Sequence, residues 1–187
     1  MLTPVESISL AGDRAKQNDD AFGFAYGAAW VFDGATDLHD TPLSGAASDA
    51  SWIARTANTM LQAYAYPELS GEASLRKLLR TIVEEQLAPA FAELVAGRSY
   101  ERWQSPISSL LILKAHNTGV LGLDLGDSRV FALDAEGAVF VAGGPDDAAD
   151  DESALAAKQV DKHKPLLRRS ETIDMLRRMR AELNQPG

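Results

Sequence analysis

The pattern of hydrophobic and polar positions predicts two strands at the start of the chain, followed by helices. Residues 20–25 and 28–33 are rich in aromatic and β-branched side chains, and the Tyr26-Gly27 pair between them predicts a hairpin turn. A weaker alternation over residues 5–10 predicts one further strand before this hairpin. The first part of the chain is therefore expected to form a small antiparallel sheet.

Two helical patterns follow the hairpin. The first begins near Ser48, and its hydrophobic side chains recur at helical spacing, namely Ile53, Ala57, Met60, Leu61 and Tyr64. The second follows Gly71 and continues to Leu94. Pro89 lies inside this second pattern, so we expect a kink or a break there, because proline cannot donate the backbone hydrogen bond of a helix.

Strand patterns return in the second half of the chain. A strand is predicted from Ser109, with a turn at residues 117–119 and a second strand through residues 120–126. Residues 129–133 and 138–142 predict another hairpin, and a last helix is predicted from Ser170. One side of that helix carries Ile173, Leu176, Met179 and Leu183. Strands, two helices, strands and a helix in this order indicate an α+β fold.

Charged residues concentrate near the C-terminus. Residues 143–153 contain a cluster of five acids, namely Asp146, Asp147, Asp150, Asp151 and Glu152. The cluster lacks the glycine and ligand spacing of a calcium loop, so we expect a mobile, solvated loop whose deletion changes the melting temperature little. A basic stretch and the terminal helix occupy residues 154–187. In that helix Arg177, Arg178 and Arg180 are expected to form a solvated face.

Composition narrows the function classes. The chain has 187 residues and a net charge of −9, which argues against a nucleic-acid partner because neutralising phosphates needs clustered basic residues. It has no cysteine, which excludes disulfides, zinc-thiolate sites and thiol nucleophiles. The longest apolar run, residues 25–32, is too short to cross a membrane, and the first residues lack the features of a signal peptide. We therefore expect a cytoplasmic protein with no membrane partner.

The first hairpin brings two carboxylates together. If the turn is centred on Tyr26-Gly27, opposed residues have numbers that sum to 53, so Asp20 faces Asp33 across the strands. Like charges in this position are destabilising, and a bound cation would offset the repulsion. Mg²⁺ and Mn²⁺ prefer carboxylate and carbonyl oxygens, and both Asp19 and Gly34 adjoin the pair. The alternative is that both aspartates end their strands in solvent, where water screens them.

Both faces of the hairpin are apolar, which predicts that both are covered in the fold. One face carries Phe22, Phe24 and Val31. The other carries Trp30 and Phe32 opposite the small residues Gly23 and Ala21.

Four short motifs resemble, in their order, those of the metal-dependent serine/threonine protein phosphatases of the 2C family. Asn18-Asp19-Asp20 is similar to the Asn-Glu-Asp segment of that family, and Val31-Phe32-Asp33-Gly34 to its strand ending in Asp-Gly. Residues 105–109 stand where the family opens a central strand. The fourth motif, Gly126-Asp127-Ser128-Arg129, matches the family motif in full. The resemblance covers residues 5–142.

The resemblance implies an α-β-β-α sandwich of mainly antiparallel sheets flanked by helices, with a centre of two Mg²⁺ or Mn²⁺ ions. Carried over by position, Asp33 would bridge the metals and the Gly34 carbonyl would bind one of them. Asp19 and Asp20 would hold the centre directly or through water, and Asp127 would serve a further, weaker site. The implied reaction is hydrolysis of phosphoserine and phosphothreonine in a phosphoprotein substrate by an activated water.

The sequence departs from the family at several positions. The phosphate-binding arginine of the family falls on Ala15, so Arg14 is assigned that role, with an exposed turn arginine as the alternative. Ala35 replaces a histidine that can act as general acid; His39 lies near, although a solvated loop histidine is the simpler interpretation.

The last departure concerns the ligands of the second ion. Asp33-Gly34 is the only Asp-Gly pair, and the late metal aspartates of the family have no counterpart. The 187 residues are thus expected to form a single phosphatase-like domain, truncated at its C-terminus. They are expected to be weakly active or inactive. The alternative function is a catalytically deficient binding or regulatory module that keeps the fold.

Overall fold

The computed structural model describes residues 2–12, 15–65, 72–144 and 170–183, and it has the predicted α+β fold. Strands β1 and β2 span Ala21–Ala25 and Ala28–Gly34, and helices α1 and α2 span Asp49–Tyr64 and Glu72–Ile82. A π-helical turn at Val83–Leu87 leads into α3 at Ala88–Leu94, and a 3₁₀ turn covers Arg102–Gln104. The remaining elements are β3 (Ser108–His116), β4 (Gly119–Leu125), β5 (Val130–Leu133), β6 (Val139–Ala142) and α4 (Ser170–Leu183).

The first four strands form an antiparallel sheet in the order β1-β2-β3-β4. The β1-β2 register pairs Ala25 with Ala28 and Ala21 with Phe32, which confirms the predicted sum of 53. Tyr26 and Gly27 both adopt positive φ, at 50° and 73°. This is the turn geometry that matches the twist of a two-residue hairpin, so the turn sets the register of the sheet.

Helix α1 covers one face of this sheet. Ala54, Ala57 and Leu61 of α1 are buried against Trp30 and Phe32 of β2. Of the residues that the pattern places on this face, Ala57 and Leu61 are buried, whereas Ile53, Met60 and Tyr64 are only partly buried. Small side chains let the helix approach the two large aromatic rings closely.

Gly23 and Asn58 also accommodate the Trp30 ring. A methyl group on Gly23 would lie 2.8 Å from that ring, so only glycine fits under it. The indole N–H of Trp30 donates to Asn58 Oδ1 at 2.8 Å, which satisfies the buried polar group of the ring. The sequence pattern had already placed Gly23 opposite Trp30.

The second helical pattern is interrupted before Pro89, as predicted. The π-helical turn of residues 83–87 joins α2 to α3, and Pro89 lies in the first turn of α3. A wider turn ahead of Pro89 accommodates the proline ring, which in a regular α-helix would clash with the carbonyl group four residues earlier.

The other face of the sheet is partly exposed, so the prediction that both faces are covered is wrong for the part of the chain the structure describes. Phe22, Phe24 and Val31 are 36%, 50% and 41% exposed. An open groove of about 700 Å³ runs along this face, and residues of the 2–10 segment form one of its walls. The two-stranded β5-β6 sheet was predicted correctly, and its hydrophobic side chains are also exposed.

One further prediction is wrong: residues 2–12 form neither strand nor helix, and Val5, Ile8 and Leu10 are largely exposed. The predicted helix α4 is present; on its apolar side Ile173 and Leu176 are half-buried, whereas Met179 and Leu183 are exposed. None of the helices in the described residues is long and apolar enough to cross a membrane.

Candidate metal centre

Asp20 and Asp33 lie at the end of the β1-β2 hairpin. Asp20 directly precedes Ala21 and Asp33 directly follows Phe32, the outermost pair of the two strands, and their carboxyl groups are close enough for a side-chain hydrogen bond. Partial burial, followed by the negative charges of Asp20 and Asp127, raises the pKa of Asp33 to about 6. The predicted convergence of the two carboxylates is confirmed, and it places several negative charges close together.

Gly34 packs directly against the Asp19 segment. A methyl group at Gly34 would lie 2.4 Å from the Asp19 carbonyl oxygen and 3.0 Å from the Ala50 carbonyl oxygen. A side chain at position 34 would therefore push the Asp19 backbone away from β2. Glycine is required here by close approach of three backbone segments and not by an unusual φ.

Hydrogen bonds from the start of β3 fix the end of β2. The Ser108 hydroxyl donates to the Asp33 carbonyl oxygen at 2.9 Å, and the Ala35 N–H donates to the Ile107 carbonyl oxygen at 3.0 Å. The β2-β3 register also pairs Asp33 with Ser109. These contacts fix the backbone of the proposed ligands Asp33 and Gly34 at the end of the inner strand β2.

Asp127 also lies near this cluster, because its charge contributes to the raised pKa of Asp33. Asp124, which the sequence reasoning missed, lies on the same sheet face: it pairs with Leu111, which pairs with Val31. Asp124 Oδ2 accepts the Gly144 N–H at 2.6 Å, whereas its Oδ1 is buried without a partner in the described residues. A polar residue between Leu123 and Leu125 was the signal that could have found it.

Three sequence predictions lie outside the described residues: Arg14, assigned to phosphate binding, the acidic cluster at positions 146–152, and the basic stretch between position 154 and α4. Arg129, from the fourth motif, lines the groove along the sheet face together with Asp20 and Asp33.

A second group of ionisable side chains surrounds the start of α1. One ligand atom each from Asp37, His39 and Asp49 lies within 4.8 Å of the others, a spacing that could hold a metal ion. Their carboxylate oxygens already accept protein hydrogen bonds. Asp49 accepts from the N–H groups of Leu43 and Ser44 and contacts His39 Nε2 at 2.9 Å.

Asp37 completes this network by capping α1. It accepts the N–H groups of Asp49 and Ala50 at 2.8 and 3.2 Å, two of the unpaired donors of the first turn. Burial, together with the charge of Asp49, raises the pKa of Asp37 although these two bonds act to lower it. Burial also acts to raise the pKa of Asp49, but the hydrogen bonds from Ser44, Leu43 and His39 outweigh it and lower that pKa. We interpret the group as a structural network that fixes the loop after β2.

His39 is therefore not the solvated loop residue that the sequence indicated. Its side chain is only 9% exposed, and its ring packs edge-on against Trp103 with 5.9 Å between centroids. The Arg177 guanidinium covers Trp103 at 4.2 Å and donates to the Leu38 carbonyl oxygen at 3.0 Å. Arg180 donates to the Thr36 carbonyl oxygen at 2.6 Å. The prediction of a solvated arginine face is wrong for Arg177 and Arg180, because both bind the loop that follows Asp33-Gly34.

Comparison with protein-family models found no match, and comparisons with curated proteins and with solved structures found none either.

Proposed function

We propose that this chain carries the metal-binding part of a phosphatase of the 2C type, which hydrolyses phosphoserine and phosphothreonine in phosphoproteins in the cytoplasm. The observation that carries the proposal is the converging pair of Asp20 and Asp33, with the pKa of Asp33 raised to about 6. A native structure keeps like charges this close where they serve a purpose, and a divalent cation would remove the repulsion.

The residues present fit a hard divalent cation. Asp20 and Asp33 offer carboxylate oxygens from adjacent strands, and Asp19 and the Gly34 carbonyl adjoin them on packed backbone. Oxygen ligands with several waters retained are what Mg²⁺ and Mn²⁺ prefer. When bound, such an ion would polarise a phosphate ester and lower the pKa of a water molecule.

The chain's own residues would hold and orient this ion. Asp33, fixed by Ser108, and Asp20 would bind it, while Asp19 would contribute directly or through water. Asp127 would add negative charge for a weaker site. Hydrolysis at a two-metal centre requires two ions about 3.5–4 Å apart. The sequence supplies no second Asp-Gly aspartate for the second ion.

Ala35, which stands at the position of the family's histidine, favours a second candidate function, a catalytically deficient module that binds a cation or a phosphorylated partner. The two candidates differ in turnover but share the cation site, so one experiment separates them.

The test is calorimetric titration of the 187-residue chain with Mn²⁺, with turnover of p-nitrophenyl phosphate measured alongside. Wild type should bind Mn²⁺ weakly and hydrolyse the ester poorly or not at all, and Asp33→Asn should abolish binding. Asp40→Asn, which removes an exposed carboxylate from the loop after β2, is the matched control and should bind like wild type. Unchanged binding in Asp33→Asn would refute the site, and robust turnover would refute the assignment of the missing ligands.

A further inference from the structure

Ser48 connects the candidate metal centre to helix α1. It is the N-cap residue of α1, and its Oγ accepts the backbone N–H of Ser51 at 3.0 Å. The same Oγ is hydrogen-bonded to Asp19 Oδ1. A hydroxyl group has one proton and two acceptor lone pairs. The Ser51 N–H is a donor, so this contact uses only a lone pair of the hydroxyl oxygen. The hydroxyl group can therefore donate its one hydrogen bond to the Asp19 carboxylate.

The backbone around this contact is tightly packed. Gly34 lies against both the Asp19 carbonyl and the Ala50 carbonyl in the first turn of α1. Asp37 holds this first turn of α1 in place by accepting hydrogen bonds from the N–H groups of Asp49 and Ala50. Ser48 therefore belongs to a rigid element, and a side chain that it holds is held in one place.

We propose that Ser48 is a positioning residue of the candidate metal centre. It engages Asp19 Oδ1, so that Oδ2 is the oxygen that Asp19 offers to a cation beside Asp20 and Asp33. The inference rests on the proposed function, since it assigns Ser48 a task at that site. It also explains why the N-cap residue of α1 is hydrogen-bonded to Asp19, which is distant in sequence: the start of the helix holds the Asp19 carboxylate in place.

The competing explanation is that Ser48 is a cap and nothing more. The two are separated by Mn²⁺ titration of the full chain carrying Ser48→Ala, Ser48→Gly or Ser48→Thr. Glycine keeps most of the capping free energy but has no hydroxyl, whereas threonine keeps both functions. Loss of a group that orients a metal ligand typically weakens metal binding by about 10–100-fold. We expect a roughly tenfold or larger rise in the Mn²⁺ dissociation constant for Ser48→Ala and Ser48→Gly, with Ser48→Thr close to wild type.

Ser51→Ala is the matched control. Ser51 Oγ donates to the Ser48 carbonyl oxygen at 2.9 Å, so this change also removes a hydroxyl from the first turn of α1 but leaves Asp19 untouched. It should lower stability without weakening Mn²⁺ binding. Equal weakening by Ser51→Ala, or unchanged binding in Ser48→Gly, would overturn the proposal.

A double-mutant cycle without metal tests the contact itself. The free energies of unfolding of wild type, Ser48→Ala, Asp19→Ala and the double variant are measured by urea denaturation in EDTA. The loss caused by Ser48→Ala should be smaller in the Asp19→Ala background, because the capping contribution is common to both and cancels. Equal losses would refute the Ser48-Asp19 bond. A wild type that binds no Mn²⁺ would instead refute the proposed function and the positioning role with it, while the cycle still reports the bond.

Discussion

Among the described residues, Asp33 is the carboxyl group whose charge is most disfavoured in the folded chain, although the residue as a whole is exposed at the end of β2. Its pKa in the folded chain is about 6, against 3.8 for an ordinary aspartate, because of partial burial and the charges of Asp20 and Asp127. The folded state therefore binds more protons than the unfolded state between these two pH values. Stability in the absence of metal must fall as pH rises through this window, since it decreases with pH wherever the native state holds the extra proton.

This sign gives a direct prediction for Asp33→Asn. In EDTA, the free energy of unfolding of wild type should lose the Asp33 contribution between about pH 4 and pH 6. The free energy of unfolding of Asp33→Asn, measured relative to that of wild type, should therefore increase as pH rises. Urea denaturation of both proteins at pH 4, 5, 6 and 7 measures it. With Mn²⁺ present, binding to wild type should strengthen over the same range, because the ion needs the deprotonated carboxylate. A difference independent of pH would contradict the raised pKa.

Gly34 gives a prediction about packing at the same site. Gly34→Ala places a methyl group 2.4 Å from the Asp19 carbonyl oxygen, which is backbone and cannot rotate away. Overpacking of this kind typically costs about 1–3 kcal/mol, and it should also weaken Mn²⁺ binding by displacing Asp19. Gly12→Ala is the control, because open space surrounds Gly12. The stability of this variant should differ from that of wild type by less than about 0.5 kcal/mol. Chemical denaturation of both variants is the measurement, and equal effects would contradict the close packing.

At the scale of elements, the sequence predicted the strands and helices whose positions are determined by neighbouring residues. The Tyr26-Gly27 turn fixed the register of β1 and β2, and Pro89 marked the interruption between α2 and α3. The strand predicted at residues 5–10 does not form, because this segment pairs with no other strand. Strand formation depends on pairing more than on propensity. The pair of Asp20 and Asp33 followed from the register alone. The roles of Ser48 and His39 did not, because each depends on which distant segment packs beside it.

Helix α4 is the element whose packing the sequence misrepresented. Its attachment runs through Arg177 and Arg180, which bind the carbonyl oxygens of Leu38 and Thr36. Hydrophobic periodicity cannot reveal such contacts, since long arginine stems cover apolar rings while their charged ends bind backbone. The consequence is that α4 holds the loop that follows the candidate ligands Asp33 and Gly34.

Arg177→Ala should therefore destabilise the chain, unlike the same substitution at the neighbouring Arg178. It removes the bond to Leu38 and the stacking on Trp103, and a cation-to-carbonyl bond with an aromatic contact is worth about 2 kcal/mol. Arg178→Ala, an exposed residue on the same helix, should change stability by less than about 0.5 kcal/mol. Thermal and urea denaturation compare the two variants. Similar small effects in both would show that α4 is not anchored through Arg177.

At the scale of the whole molecule, hydrophobic side chains divide into two populations that the sequence pattern cannot distinguish. Trp30, Phe32 and Ile112 are buried between the sheet and the helices. Phe131, Val139 and Phe140 of the β5-β6 hairpin are 72%, 63% and 58% exposed although they too belong to apolar strands. Periodicity identifies a strand and its faces, but what lies against each face is a property of the fold.

Two phenylalanines test this division directly. Phe32 is 6% exposed in the main sheet, and Phe131 is 72% exposed in the β5-β6 hairpin. Phe32→Ala should cost about 3–5 kcal/mol of unfolding free energy, as removal of a buried ring does. Phe131→Ala should cost less than about 1 kcal/mol, because its ring already contacts water and its removal leaves no cavity. Urea denaturation at two protein concentrations measures both costs and separates folding from self-association. Should Phe131→Ala prove as costly as Phe32→Ala at both concentrations, the hairpin must be covered within a single chain. A large cost that appears only at the higher concentration would instead mean that a second copy covers it.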